Sequence, residues 1–105
     1  MKHVWFATAL LLAGPALAQD ANALRARSLA ATCAQCHGTD GRAPPGSAMA
    51  TLAGMPAAYL TEQMKAFKAG TRAGTVMPQL AKGYNDAQIA QLAAYFAQPA
   101  TGGKP

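Results

Sequence analysis

Charge and cysteine are both scarce in this chain. Of its 105 residues, nine are Lys or Arg, four are Asp or Glu, two are Cys and two are His. No basic run and no patch of cations interleaved with aromatics occurs, so the formal charge of +5 does not point to nucleic acid. No apolar stretch reaches the ~20 residues needed to cross a bilayer, because Gly14-Pro15 breaks the one long hydrophobic run. Strand-type alternation, internal repeats and a second domain are all missing. A structural zinc site wants four ligands, and two Cys with one nearby His leave only Asp40 or a water to complete it. What remains is a small helical chain whose few reactive groups are gathered in one place.

That place is Cys33-Ala34-Gln35-Cys36-His37, which holds both cysteines and, once a leader is removed, the only histidine. Cys-x-x-Cys-His is the pattern of covalent c-type haem attachment. Two thiols separated by two residues on one turn of chain can each form a thioether to a vinyl group of a single haem. The next residue, His37, is then delivered to the iron as its proximal ligand. A thioredoxin-type redox pair would want a βαβ setting, whereas these flanks are alanine-rich and helical. A plain disulfide suits an oxidising compartment but leaves His37 without a role. Cys33 and Cys36 are thus expected to bind one haem c covalently, and His37 its iron.

Residues 1–18 read as a signal peptide, with Lys2 as the positive start, residues 4–12 as the apolar stretch and Ala16-Leu17-Ala18 as the cleavage site. Export to the periplasm agrees with covalent haem attachment, which in bacteria takes place outside the cytoplasm. Residues 19–98 are expected to form one domain, and residues 99–105 a frayed tail rich in turn and breaker residues. Without Lys2, eight basic residues face four acidic ones, a formal +4 that suits steering toward an acidic protein partner. So small a domain buries only a modest core. A haem contributing on the order of 400 Å² of apolar contact adds ~10 kcal/mol at ~25 cal/mol per Å². That rivals the ~5–15 kcal/mol stability of a whole domain, so the cofactor is expected to be part of the core.

Three helices are legible in the pattern. Residues 21–36 are helical, with Ala26, Leu29, Ala30 and Cys33 on one stripe and Gly38 as the stop. Residues 38–55 read as a loop that wraps a cofactor edge and offers a carbonyl to the second imidazole nitrogen of His37. Pro56 opens a second helix with Leu60, Met64 and Phe67 inward, and Gly70 closes it. Residues 71–84 are irregular; Asn85 and Gln88 then form a capping box for a last helix with Ile89, Leu92, Ala93 and Phe96 buried. For the sixth iron ligand the candidates are Met49, Met55, Met64 and Met77. Met64 lies on a core stripe, Met49 and Met55 lie close to the proximal side, and Val76-Met77-Pro78 presents a rigid sulfur from the opposite loop, so Met77 is favoured. With both axial positions filled, such a centre passes single electrons and leaves no site for oxygen or substrate.

Cys33-Ala34-Gln35-Cys36-His37-Gly38, followed by Leu52-Ala53-Gly54, a loop methionine and a C-terminal helix, resembles class I cytochrome c across essentially all of the chain after the leader. Phe67-Lys68-Ala69-Gly70-Thr71-Arg72, Thr75-Val76-Met77 and Ala81-Lys82-Gly83-Tyr84 are similar to segments of the cytochrome subunit of flavocytochrome c sulfide dehydrogenase and related two-haem cytochromes. The resemblance implies an all-α fold of three to four helices wrapped around one covalently attached haem, with the first and last helices crossing. It implies thioethers at Cys33 and Cys36, His37 as proximal ligand and Met77 as distal ligand. It also implies a separate flavoprotein that oxidises sulfide at FAD and passes electrons singly to this haem. Two departures stand out: there is one attachment motif where many relatives have two, and Ala50 occupies the place of a proline whose carbonyl serves the proximal histidine.

The function these features lead us to expect is that of a periplasmic monohaem electron carrier, not an enzyme by itself, serving as the haem subunit of a sulfide-oxidising flavoprotein. The alternative is a freely diffusing cytochrome shuttling between respiratory or photosynthetic complexes. A third reading, an enzyme or gas sensor, needs an open iron position. Neither nucleic acid nor stable membrane insertion after leader cleavage is expected. Lys65, Lys68, Arg72 and Lys82 are candidates for a docking patch.

Overall fold

The structure, a computed structural model, describes residues 14–98. Most of the expected leader and all of the expected tail lie outside the described residues. Four α-helices succeed one another: α1 (Gly14–His37), α2 (Ala57–Ala69), α3 (Met77–Ala81) and α4 (Asp86–Ala97). A single 3-10 turn, Thr39–Gly41, follows α1, and no strand occurs among the described residues.

Alanine-rich sequence carries α1 further than its buried stripe requires, and among the described residues the helix already runs from Gly14, well before residue 21. Ala30 is buried and Ala26, Leu29 and Cys33 are half-buried, as their spacing predicts. The helix stops where Gly38, at φ 83°, sends its N–H to Ala34 O at 2.9 Å. A Cβ at Gly38 would lie 1.9 Å from the Arg42 carbonyl oxygen, so no other residue lets the chain fold back this tightly.

Pro56 sits one position before α2 rather than inside it, and Gly70 ends the helix in the left-handed conformation. Leu60 is buried, while Met64 and Phe67 are half-buried. The expectation of an irregular stretch over residues 71–84 needs correction, because residues 77–81 form α3. Five residues are too few to show a helical period, yet Pro78 suits a first turn, and Gln79 and Leu80 both donate to Val76 O, at 3.0 and 3.1 Å. In α4 the capping box is present in full: Gln88 N donates to Asn85 Oδ1 at 2.8 Å, and Asn85 N donates to Gln88 Oε1 at 2.9 Å. Ile89, Leu92, Ala93 and Phe96 are all buried, as expected.

The core is small. Ala30 of α1, Leu60 of α2 and Leu92, Ala93 and Phe96 of α4 form one cluster, with Leu29, Cys33, Leu52, Met55, Tyr84 and Tyr95 packed against it. The first and last helices therefore meet at the same point where α2 is anchored. Cys33 touches this cluster, so the chain packs most densely beside the expected attachment turn. No helix among the described residues is long and apolar enough to cross a membrane.

Candidate haem site

Cys33, Cys36 and His37 share the last turns of α1, where the helix presents them within four positions. Neither cysteine is in a disulfide. Cys36 is exposed, whereas Cys33 is half-buried, and burial pushes its thiol up against a smaller opposing effect of the Thr32 hydroxyl. Among the described residues, no three His, Cys, Asp or Glu side chains converge on one point as a metal cage would require. The trio suits a metal that arrives inside an organic ring better than one bound by protein alone.

The imidazole of His37 is oriented by backbone. Its Nδ1 lies 2.7 Å from the carbonyl oxygen of Ala50. A carbonyl only accepts, so Nδ1 carries the proton and donates it. In the neutral imidazole Nε2 is then the unprotonated nitrogen, with its lone pair available to a metal. The proline expected at position 50 is replaced by alanine, and the carbonyl performs the same task.

Ala50 is placed by a staple of hydrogen bonds. Gly41 O accepts from Leu52 N at 2.8 Å and Ala53 N at 3.2 Å, and Gly54 N donates to Phe96 O at 2.7 Å. The loop is thus fastened on one side to the turn after His37 and on the other to the end of α4. Asp40, at φ 53°, is the only described non-glycine residue with a positive φ, and its carboxylate accepts a hydrogen bond from Tyr95 Oη. That bond, followed by burial and the Asp40 charge, raises the Tyr95 phenol, while Arg27 opposes the shift.

Met77 is half-buried as the first residue of α3. Val76 and Leu80 on either side of it are 55% and 49% exposed, and Met49, next to Ala50, is 48% exposed. Both loops expected to face the cofactor therefore carry large apolar side chains at the surface, which suits a flat macrocycle. The residues present fit a haem: paired thiols, an oriented imidazole and a methionine on a separate element.

Three of the four cations expected to form a docking patch have partners inside the chain. Lys68 donates to Tyr84 O at 2.7 Å and lies 3.7 Å from Asp86; Lys65 lies 3.9 Å from Asp86. The Arg72 guanidinium donates to Gln63 Oε1 at 2.5 Å and stacks over Phe67 at 4.5 Å from the ring centre. Sequence reasoning did not find Thr32, whose hydroxyl sits 2.7 Å from that of Tyr84. A partner 52 residues away leaves no trace in local spacing.

Comparison with known proteins agrees with this geometry. The chain is 40% identical over 76 residues to a thiosulfate dehydrogenase electron acceptor of Thiomonas intermedia, covering 72% of this chain and 35% of that protein. It is 37% identical over 91 residues to the cytochrome subunit of sulfide dehydrogenase of Chlorobaculum tepidum, covering 87% of this chain and 80% of that one. Its fold is similar to the cytochrome c4 structure of Acidithiobacillus ferrooxidans, with a TM-score of 0.66 and 31% identity over 73% of this chain and 49% of that one. The chain thus spans about a third of the first relative (35%) and about half of the solved structure (49%). Residues 13–96 match the protein family described as cytochrome c oxidase, cbb3-type, subunit III. The helical fold, the oriented histidine and these matches lead to one conclusion: the chain belongs to the class I cytochrome c family, whose members carry electrons on haem.

Proposed function

We propose that this protein is a periplasmic single-electron carrier, exported by residues 1–18, in which Cys33 and Cys36 hold one haem c through thioethers. His37 Nε2 and the Met77 sulfur would be the protein ligands of its iron. The observation that carries this reading is the 2.7 Å contact between His37 Nδ1 and Ala50 O, which assigns the tautomer a metal needs. When bound, the haem supplies a one-electron couple. The chain's own residues do the rest: the Ala50 carbonyl holds the imidazole plane, and the Met77 thioether would favour the reduced state and keep small molecules from the metal.

The partner we favour is a flavoprotein that oxidises sulfide at FAD, and the support is the Chlorobaculum relative, which aligns over 80% of its own length. A second reading, a freely diffusing carrier that takes electrons from another sulfur-oxidising enzyme, is favoured by the relatives of Thiomonas and Stutzerimonas stutzeri named as thiosulfate dehydrogenase electron acceptors. Purification from the native host decides between them. Flavin travelling with the haem supports the subunit, and a haem protein that elutes as a monomer without flavin refutes it. The ligand assignment is tested by the weak near-red band of oxidised methionine-ligated haem, which Met77→Ala is expected to abolish. A band that survives Met77→Ala assigns the ligand elsewhere.

A further inference from the structure

Tyr84 is not in the ligand set, yet it makes polar contacts with several elements. Its hydroxyl lies 2.7 Å from Thr32 Oγ1 on α1. Thr32 Oγ1 donates to Leu29 O at 2.8 Å and lies 3.8 Å from Cys33 Sγ. A hydroxyl has one proton to give, and that of Thr32 goes to Leu29, so Tyr84 is the donor to Thr32. The carbonyl of Tyr84 accepts from Lys68 of α2 at 2.7 Å, and its N–H donates to Ala81 O of α3 at 3.2 Å. One residue thus joins α1, α2 and α3 immediately before α4 begins.

The element most in need of such a joint is α3. It has five residues and buries only Ala81, so its internal hydrogen bonds do little to decide where Met77 sits. We propose that Tyr84 is a positioning residue whose bond to Thr32 ties the segment carrying Met77 to the turn of α1 carrying Cys33. The methionine sulfur and the attachment turn are then held as one unit. This inference rests on the reading above that Met77 is the distal ligand. Opening of the 77–84 segment frees the iron position for a competing ligand, and losing one ordinary hydrogen bond eases that opening about two- to tenfold.

The test is an imidazole titration of the haem-loaded full chain, followed by loss of the near-red methionine band. Tyr84→Phe and Thr32→Val are each expected to bind imidazole about two- to tenfold more tightly than the wild type. The double variant should bind no more tightly than either single one, because all three lose the same bond. Thr32→Ser keeps the hydroxyl and is expected to match the wild type. Gly70→Ala, at φ 78° with nothing within 4 Å, is expected to lower the unfolding midpoint and leave imidazole affinity unchanged. Affinities that rise in step with lost stability, Gly70→Ala included, reduce Tyr84 to a general stabiliser and overturn the inference. Single effects that multiply in the double variant also overturn it. A wild-type chain without the near-red band overturns the Met77 assignment and the inference together, whereas an intact band with unchanged affinities overturns the inference alone.

Discussion

Gly41→Ala is expected to be far more damaging than the same change at another glycine with the same backbone. Gly41 is buried at φ 76°, and a Cβ there would lie 2.7 Å from Phe96 Cδ1 and 3.0 Å from both Ala53 N and Leu52 Cβ. Phe96 is 4% exposed within the core cluster, so it has no room to swing aside. The left-handed backbone costs an L residue ~1–2 kcal/mol. Overpacking against a filled core adds ~1–3 kcal/mol, for a total of about 2–5 kcal/mol. Gly70, at φ 78° with nothing within 4 Å, isolates the first cost, so Gly70→Ala should lose only ~1–2 kcal/mol. Urea unfolding of both haem-loaded variants, followed by far-ultraviolet circular dichroism, gives the comparison. A second readout follows from position: Gly41 O accepts from Leu52 and Ala53, the staple that places Ala50 O against His37. The reduction potential should therefore shift in Gly41→Ala and hold in Gly70→Ala. Equal unfolding midpoints for the two variants would refute the packing account, and an unmoved potential in Gly41→Ala would refute the staple.

Asn85→Ala removes the acceptor for Gln88 N and should cost ~0.5–2 kcal/mol in the same unfolding assay, with haem spectra unchanged. Tyr95 has its phenol raised by its bond to Asp40, so the stability it contributes is complete below the unfolded value near ~10 and is lost as pH climbs through the raised folded value. The urea midpoint of Tyr95→Phe is accordingly expected to be lower than wild type at neutral pH and to fall less steeply between about pH 9 and 12. The double variant Cys33→Ala/Cys36→Ala, prepared without haem, should show no cooperative thermal transition, since Ile89 is the only large side chain in the described core that is fully buried. A sharp calorimetric peak in that variant would show that the polypeptide core suffices.

Local chemistry made much of this protein legible in its sequence. The expected attachment turn is read from five consecutive residues, because the covalent haem binding proposed for it needs two thiols and an imidazole at fixed spacing on one helix end. The stripe of α4 and its capping box are local too, since both arise from neighbours three and four positions apart. The short helix α3 escaped that kind of reading because five residues hold less than two helical turns. The partners of the cations at 65, 68 and 72 escaped it for a related reason: a side chain's charge is visible in sequence, but its partner is not.

The amino-acid order alone pointed to the cofactor class and the helical character, because each depends on residues within a few positions of one another. Only the tertiary structure decided which carbonyl orients His37, why Gly41 must have no side chain, and how Thr32 and Tyr84 meet across 52 residues. Those are properties of chain segments brought together by burial around Phe96, Leu92 and Ala30. Hydrophobic packing is indifferent to sequence separation, and the polar contacts that complete the site form only after that packing has set their distances.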